Sequence, residues 1–310
     1  MSNDLGLDDG DLYRMVVMDL AAHLPEYEVR LSSYFDTILS DSPSILFVQG
    51  VKKDSKDLVI RTLKSNGYLI HWSDRETSYS FGNLTAISND LNVLDSDEIM
   101  MDSRSRNGDV VNVAPDCLVD ILDIGGRKVY LLNFESARGS FFEAHRVAMA
   151  SLIIEYCFHW KREADHEHRP LLMYMAGDLH ADPDSQSVRM LCGKQVVQGV
   201  PPSAWNDVWA VLKSDASTED GVTERQREVF SPEVRLPSLV QPRRHTYFMT
   251  YDDVFGKNGT PISIALNGND STSEGIPFSD DYGLTMDVWI PPTDQYINDD
   301  ENEEDTDNEQ

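Results

Sequence analysis

The sequence predicts an α/β fold with a β-richer C-terminal half and a disordered acidic tail, and three stretches carry that expectation. Residues 44 to 72 pass from a short apolar run through a helical pattern to a second apolar run. Residues 110 to 135 hold two apolar runs that meet at Gly125-Gly126. Residues 140 to 176 open on a helix-capping pattern and close on a compact apolar run.

From the N-terminus, Leu12, Met15, Val16, Leu20 and Leu24 recur at helical spacing and Pro25 interrupts them, so one or two helices are expected over residues 11 to 40. Ser44-Ile-Leu-Phe-Val48 reads as a strand. A helix over 54 to 64 follows, carrying Leu58, Ile60 and Leu63 and stopping at Gly67, and Tyr68 to Trp72 reads as the next strand. The connection Gln49-Gly-Val-Lys-Lys-Asp-Ser-Lys56 holds one glycine and misses the spacing of a phosphate-binding loop. Residues 75 to 108 are polar, with acids at Asp95, Asp97, Glu98 and Asp102. They read as loop with a short strand near Tyr79 to Leu84.

The centre of the chain predicts a β-hairpin, because a Gly-Gly pair lets both turn residues take positive φ. With those two glycines as the turn, Leu122 faces Val129, Leu118 faces Asn133, and Asp116 lies opposite Glu135. Directly opposed side chains have Cβ atoms roughly 4.5–5.5 Å apart, where like charges repel. A divalent cation, Mg²⁺ or Mn²⁺, offsets that repulsion through hard oxygen ligands, with Asp120 on the same face as a third ligand. Cys117, Val119, Ile121, Tyr130, Leu132 and Phe134 form the opposite, core-directed face. The competing reading has Asp116 ending its strand at solvent and Glu135 fraying from the other, and a three-residue loop would put the two acids on opposite faces.

Ser140-Phe-Phe-Glu143 is a capping-box pattern, so a helix is expected from near Phe141 to about Lys161, with Phe142, Met149, Ile153 and Trp160 on one stripe. Arg146 falls within that stripe. Such a guanidinium either snorkels to water or meets a carboxylate, Glu135 or Asp116. Leu171 to Ala176 is a buried-strand pattern. From Gly193 the composition changes: a short helix at Trp205 to Lys213 precedes β-like runs at Thr246 to Tyr251, Ile262 to Leu266 and Leu284 to Ile290. The expected division is an α/β core over 1–192, a β-richer region over 193–293 and a disordered acidic tail over 294–310.

With 310 residues, 40% of them hydrophobic, the chain has material for a substantial core. Lys and Arg number 26 against 54 acids, a formal charge of −28. Eight acids fall in residues 299 to 310, so the remainder still holds 46 acids against 26 bases. That balance argues against a large nonspecific nucleic-acid surface, which works through Lys and Arg, and leaves room for a local basic groove. Three widely spaced cysteines, Cys117, Cys157 and Cys192, predict no disulfide framework and a reducing compartment. The first residues lack the features of a signal peptide and no apolar window is long enough to span a membrane, so a soluble, cytoplasmic protein is expected.

Two polar clusters compete with the hairpin as sites. Cys157, His159, His166 and His168 match no zinc-binding spacing and read as a solvated helix end. Asp178, His180, Asp182 and Asp184 either face the hairpin site or make a polar turn around Pro183. Nucleophilic catalysis has no support, since there is no Gly-x-Ser-x-Gly elbow.

The order of hairpin, helix and strand, with Pro115-Asp116 opening one strand and Glu135 closing the next, resembles the PD-(D/E)XK nuclease superfamily. Within it, the Gly-Gly turn and the helix bearing Arg146 and Tyr156 most resemble the Rpn-like, recombination-promoting nuclease and transposase-associated proteins. That resemblance implies a restriction-endonuclease-like core, a mixed sheet flanked by helices, and metal-dependent cleavage of DNA. Asp116 and Glu135 would hold Mg²⁺ or Mn²⁺ and, with Arg146, form the catalytic group. The superfamily's lysine two residues after the glutamate is Ala137 here, and loss of a general base typically costs on the order of 10²–10⁴ in rate. Two function classes therefore stand open: a metal-dependent DNA endonuclease, and a non-catalytic acidic interaction protein that binds a basic partner or mimics DNA.

Overall fold

The computed structural model describes residues 10–20, 26–72, 81–99, 117–136, 142–167, 170–213, 223, 244–251, 259–268, 271–273, 278–279 and 283–291. In chain order the elements are β1 (Asp11–Asp19), α1 (Tyr27–Leu39), β2 (Ile45–Lys52), α2 (Lys56–Ser65), β3 (Tyr68–Trp72), β4 (Phe81–Ser88), β5 (Asn92–Ile99), β6 (Cys117–Ile124) and β7 (Arg127–Asn133). There follow α3 (Glu143–Glu167), β8 (Leu171–Asp178), α4 (Gln186–Leu191), β9 (Trp205–Asp207), α5 (Val208–Leu212), β10 (Thr246–Tyr251), β11 (Thr260–Asn267) and β12 (Gly283–Ile290).

Two six-stranded mixed sheets stack face to face. The first has the order β11-β12-β1-β2-β4-β3 and the second β5-β6-β7-β8-β10-β9. Each contains one parallel pair, β1 with β2 and β7 with β8. The connections, through α1 and α3 respectively, are the helical crossovers that parallel neighbours require. Between the sheets, Met15, Val17, Phe47 and Met286 meet Leu122, Leu131, Leu172 and Phe248. Outside the first sheet, α1 and α2 cover Val16, Met18, Leu46 and Val48. Outside the second, α3 and α4 cover Val119, Leu132, Met173 and Met175. The single mixed sheet of a restriction-endonuclease-like core is thus replaced by a four-layer sandwich.

The helix expected from residue 11 is a strand. Met15, Val16, Val17 and Met18 are all buried, because β1 lies between β12 and β2 with one face against the second sheet and the other against α1. Burial on both faces removes the alternation that marks a half-exposed strand. Strand β5 was hidden for the opposite reason. It forms one edge of its sheet, with Asp95 and Asp97 exposed and Glu98 partly buried, a common way of protecting an edge. α1, by contrast, buries Tyr27, Arg30, Leu31, Tyr34, Phe35 and Ile38, a clear helical stripe.

The hairpin register is the expected one, with Leu118 opposite Asn133 and Leu122 opposite Val129. Gly125 and Gly126 have φ of 59° and 81°, the left-handed values a tight hairpin turn needs. The face expected to collect acids is a second core, since Leu118, Leu122, Val129 and Leu131 are fully buried. Sheet membership crosses residue 193 in both sheets: β10 pairs with β8, and β12 with β1. The tail expected over 294–310, Asp116, Ala137 and Ser140 lie outside the described residues. No helix among the described residues is long and apolar enough to cross a membrane.

One polar latch ties the sheet edges together. Asp120 on β6 is buried, accepts from Ser96 Oγ on β5 at 2.6 Å, and lies 2.9 Å from His71 Nδ1 on β3. Burial alone would lower the His71 pKa, but the hydrogen bond and charge of Asp120, with Glu98 and Asp97 beyond, raise it above 6.5. A raised histidine pKa stabilises the fold fully below the unfolded value and ceases to do so as pH rises through the folded one. Resistance of the wild type to urea is therefore expected to weaken from about pH 6.5, the unfolded value, upward through that raised pKa. The size of the loss reports the separation between the folded and unfolded pKa values. His71→Gln should flatten the profile over the same window, and an unchanged profile in the variant would refute the latch.

Candidate metal centre at the strand ends

Strands β7 and β8 run parallel, so their C-terminal ends emerge side by side. The pairing continues past β7, with Phe134 N donating to Ala176 O at 3.1 Å and Ser136 N to Asp178 O at 2.9 Å. This carries Glu135 up to Asp178 and His180. The close approach depends on Gly177, whose φ is 152° and where an added Cβ would lie 1.7 Å from Phe134 O. Ser136 Oγ also donates to Leu179 O.

After β8 the chain turns sharply. His180 has a φ of 44°, and its N–H donates to Asp178 Oδ1 at 2.7 Å. That turn folds the imidazole back over the strand end. Its Nδ1 lies 3.0 Å from Asp178 Oδ2 and its Nε2 lies 3.8 Å from Glu135 Oε1. Leu179 N donates to His245 O at 2.9 Å, which brings in the start of β10. Thr223 Oγ1 accepts from both His245 N (2.8 Å) and Thr246 N (3.1 Å) and fixes that backbone. The rings of His180 and His245 stand 6.1 Å apart, edge to face.

Asp178, His180 and His245 each offer a ligand atom, all within 4.8 Å of one another. Asp178 is 1% exposed, and its Oδ2 makes no hydrogen bond, because the nearby His180 nitrogen lies outside hydrogen-bonding geometry. A buried acceptor left unsatisfied costs about 1–3 kcal/mol, more when charged. A cation there would remove that cost. Two imidazoles with carboxylates form a mixed nitrogen and oxygen donor set that Mn²⁺ accepts more readily than Mg²⁺, which takes almost only oxygen.

The floor beside this group is built of amides. Gln49, near the end of β2, donates through Nε2 to Asn133 Oδ1 at 2.6 Å, joining the two sheets. Asn133 Nδ2 donates to Leu84 O (2.9 Å) and to Thr85 Oγ1 (3.3 Å). Gln49 Oε1 is buried without a hydrogen-bond partner.

Of the residues singled out from sequence, Glu135, Asp178 and His180 come together. Asp116, expected opposite Glu135, lies outside the described residues. Asp120 sits in the latch with Ser96 and His71; its Oδ2 also lacks a hydrogen bond, but no metal-ligating trio of the described residues includes it. Arg146 is buried in α3, where its Nε donates to Glu143 Oε2 at 2.8 Å, while Glu143 Oε1 accepts from Ser187 N at 2.9 Å. Burial pushes the Glu143 pKa up, yet the Ser187 N–H and the Arg146 guanidinium outweigh it and hold the carboxyl below its usual range. His159 pairs instead with Glu163 on exposed helix surface, at 3.2 Å. Ser185 N donates to Asp182 O at 2.9 Å, the expected turn around Pro183. His245 is the member that sequence reasoning missed.

No protein-family model matches this sequence, and no curated protein does. Solved structures do share its fold, that of the endonuclease/exonuclease/phosphatase proteins. Three particular ones define the likeness. TDP2 from Caenorhabditis elegans superposes with a TM-score of 0.66 at 18% identity, over 94% of this chain and 77% of that one. D. rerio TDP2 complexed with a single-strand DNA product gives 0.66 at 14% identity, over 90% and 99%. The endonuclease/exonuclease/phosphatase from Bacteroides vulgatus gives 0.59 at 14%, again over 90% and 99%. These likenesses span both sheets and overturn the PD-(D/E)XK and Rpn-like resemblance, which rested on the local order of hairpin, helix and strand. That order recurs here inside a different architecture.

Proposed function

We propose that the protein is a metal-dependent phosphoesterase acting on nucleic acid, with Asp178, His180, His245 and Glu135 as the groups that hold the ion. The observation that carries this reading is the buried, unsatisfied Asp178 Oδ2 at the centre of two imidazoles and a second carboxylate. The fold supports it, since one protein sharing that fold was crystallised with a DNA product. An ion held by these residues would supply Lewis-acid stabilisation for a phosphoryl oxygen and would make a nearby water more acidic. His180 stands between the two carboxylates, Nδ1 beside Asp178 and Nε2 facing Glu135, and its neutral ring would offer one nitrogen to the ion as an electron-pair donor. Glu135, 3.8 Å from His180 Nε2, is placed to accept a proton or to complete the ligand set.

Adding Mn²⁺ to the metal-stripped protein should raise its melting temperature, with stabilisation of about 2.7 kcal/mol once the ion reaches a hundred times its Kd. Mg²⁺ should do so less. The metal-loaded protein should hydrolyse bis(p-nitrophenyl) phosphate and a labelled single-stranded oligonucleotide. No thermal response to any divalent ion, together with no hydrolysis, would leave the non-catalytic acidic interaction protein as the better account.

A further inference from the structure

One stretch next to the strand ends runs against the acidity of this chain. Residues 52 to 64 hold five basic side chains, Lys52, Lys53, Lys56, Arg61 and Lys64, against Asp54 and Asp57, a local charge of +3 in a chain of −28. This segment begins where β2 leaves the amide floor, Lys52 lying three residues past Gln49. Three residues of strand span roughly 10 Å. The segment therefore flanks the same end of the sandwich as the metal-competent cluster.

Aromatic rings are set among these charges. The Lys52 ammonium lies 4.8 Å from the centre of the Tyr27 ring, and the Lys56 ammonium 4.8 Å from the centre of the Trp72 ring. Tyr27 is anchored as a support: its hydroxyl donates to Gly50 O (3.2 Å) and accepts from Lys52 N (3.1 Å). Trp72 is half-buried at the end of β3. A Cβ on Gly82 would meet its ring at 3.1 Å, so the lack of a side chain on β4 lets the indole lie close against the sheet.

We propose that Lys52, Lys53, Lys56 and Trp72 form a ledge that binds single-stranded nucleic acid and leads it toward the strand-end cluster. The ammonium groups match phosphate charge, and once Lys56 swings from the indole to a phosphate, the uncovered ring face stacks on any base without choosing among them. The occupant is an anionic strand rather than an acidic protein because the partly exposed Trp72 stands beside Lys56, which pairs a base-stacking ring with a phosphate-matching charge, while the buried Tyr27 only props Lys52. This ledge gives the proposed phosphoesterase its substrate class and rests on that reading for its purpose, but binding to it needs no metal.

The test is fluorescence anisotropy of labelled 12-mer DNA and RNA single strands in EDTA across a salt series. Wild-type affinity is expected to fall with salt with a slope near −2, about 0.7 per phosphate contact over three lysines. The Lys52→Glu, Lys53→Glu, Lys56→Glu triple variant should bind at least tenfold more weakly and lose most of that slope. The Gln triple, which keeps the aliphatic stems, should do the same if the Glu triple folds poorly. Trp72→Ala should weaken oligonucleotide binding about tenfold but leave binding of inorganic polyphosphate unchanged. Undiminished binding by both triples overturns the ledge, as does equal binding of polyphosphate with no effect of Trp72→Ala. Ledge-dependent binding without hydrolysis under any divalent ion would uphold this inference and sink the phosphoesterase. Hydrolysis with ledge-independent binding would do the reverse.

Discussion

Asp178→Asn is expected to lower metal-dependent phosphodiester hydrolysis by more than roughly 100-fold. Even residues standing behind metal ligands contribute about 10–100-fold, and Asp178 supplies the buried oxygen that no hydrogen bond satisfies. The substitution is chosen because asparagine keeps an oxygen to accept from His180 N, the bond that sets the turn. The metal-free variant should therefore melt within a few degrees of the wild type, while its response to Mn²⁺ disappears. Calorimetric titration with Mn²⁺ and steady-state hydrolysis, run on the same preparations, check both halves. Wild-type activity in the variant would remove Asp178 from the site.

Gly177→Ala should be the most damaging single methyl in the chain. It places a side chain at φ 152° and sets its Cβ 1.7 Å from Phe134 O, so β7 and β8 have to separate where they leave the sheet. Backbone strain of this kind costs about 1–3 kcal/mol before the overlap is counted. A total of roughly 3 kcal/mol or more corresponds to a drop of about 6–12 °C in melting temperature for a domain of this order of size. Activity should fall with it, because the same separation parts Glu135 from His180. Thermal melts beside hydrolysis measure the two effects, and an undisturbed melting temperature would show that the strand ends have room to spare.

What the sequence disclosed follows the range of the interactions involved. The hairpin was legible because its determinant, Gly125-Gly126, is local, and its register came out as read. α2, β2, β3 and β8 were legible as short periodic or apolar runs between breakers. β1 was not, since a strand covered on both faces shows a solid apolar run in which helical spacing can also be found. β5 was not, since an edge strand whose outward residues are Asp95, Asp97 and Glu98 resembles a polar loop. The assembly of the first sheet had no sequence signature, because it depends on pairings such as Met15 with Met286, far apart in the chain.

The site divides the same way. Glu135 was identified from its place at the end of the hairpin, although the described neighbour that defines its chemistry is His180 on the next parallel strand. Asp178 and His180 were visible as a polar group following an apolar run. His245, 65 positions further on, is brought to them by the pairing of β10 with β8 and the backbone bond from Leu179, and nothing in its own neighbourhood marks it. The missing lysine at Ala137 mattered only within the nuclease superfamily that the fold sets aside.

The interleaving of early and late strands bears on how this chain is made. Until residue 251 has left the ribosome, β8 is without β10, and until residue 290 has, β1 has no partner on its β12 side. Most of the polypeptide thus exists for a time as incomplete layers with apolar faces open to solvent, a state prone to association. Synthesis of this protein should accordingly engage a holding chaperone late rather than early, and release should coincide with emergence of the closing strand.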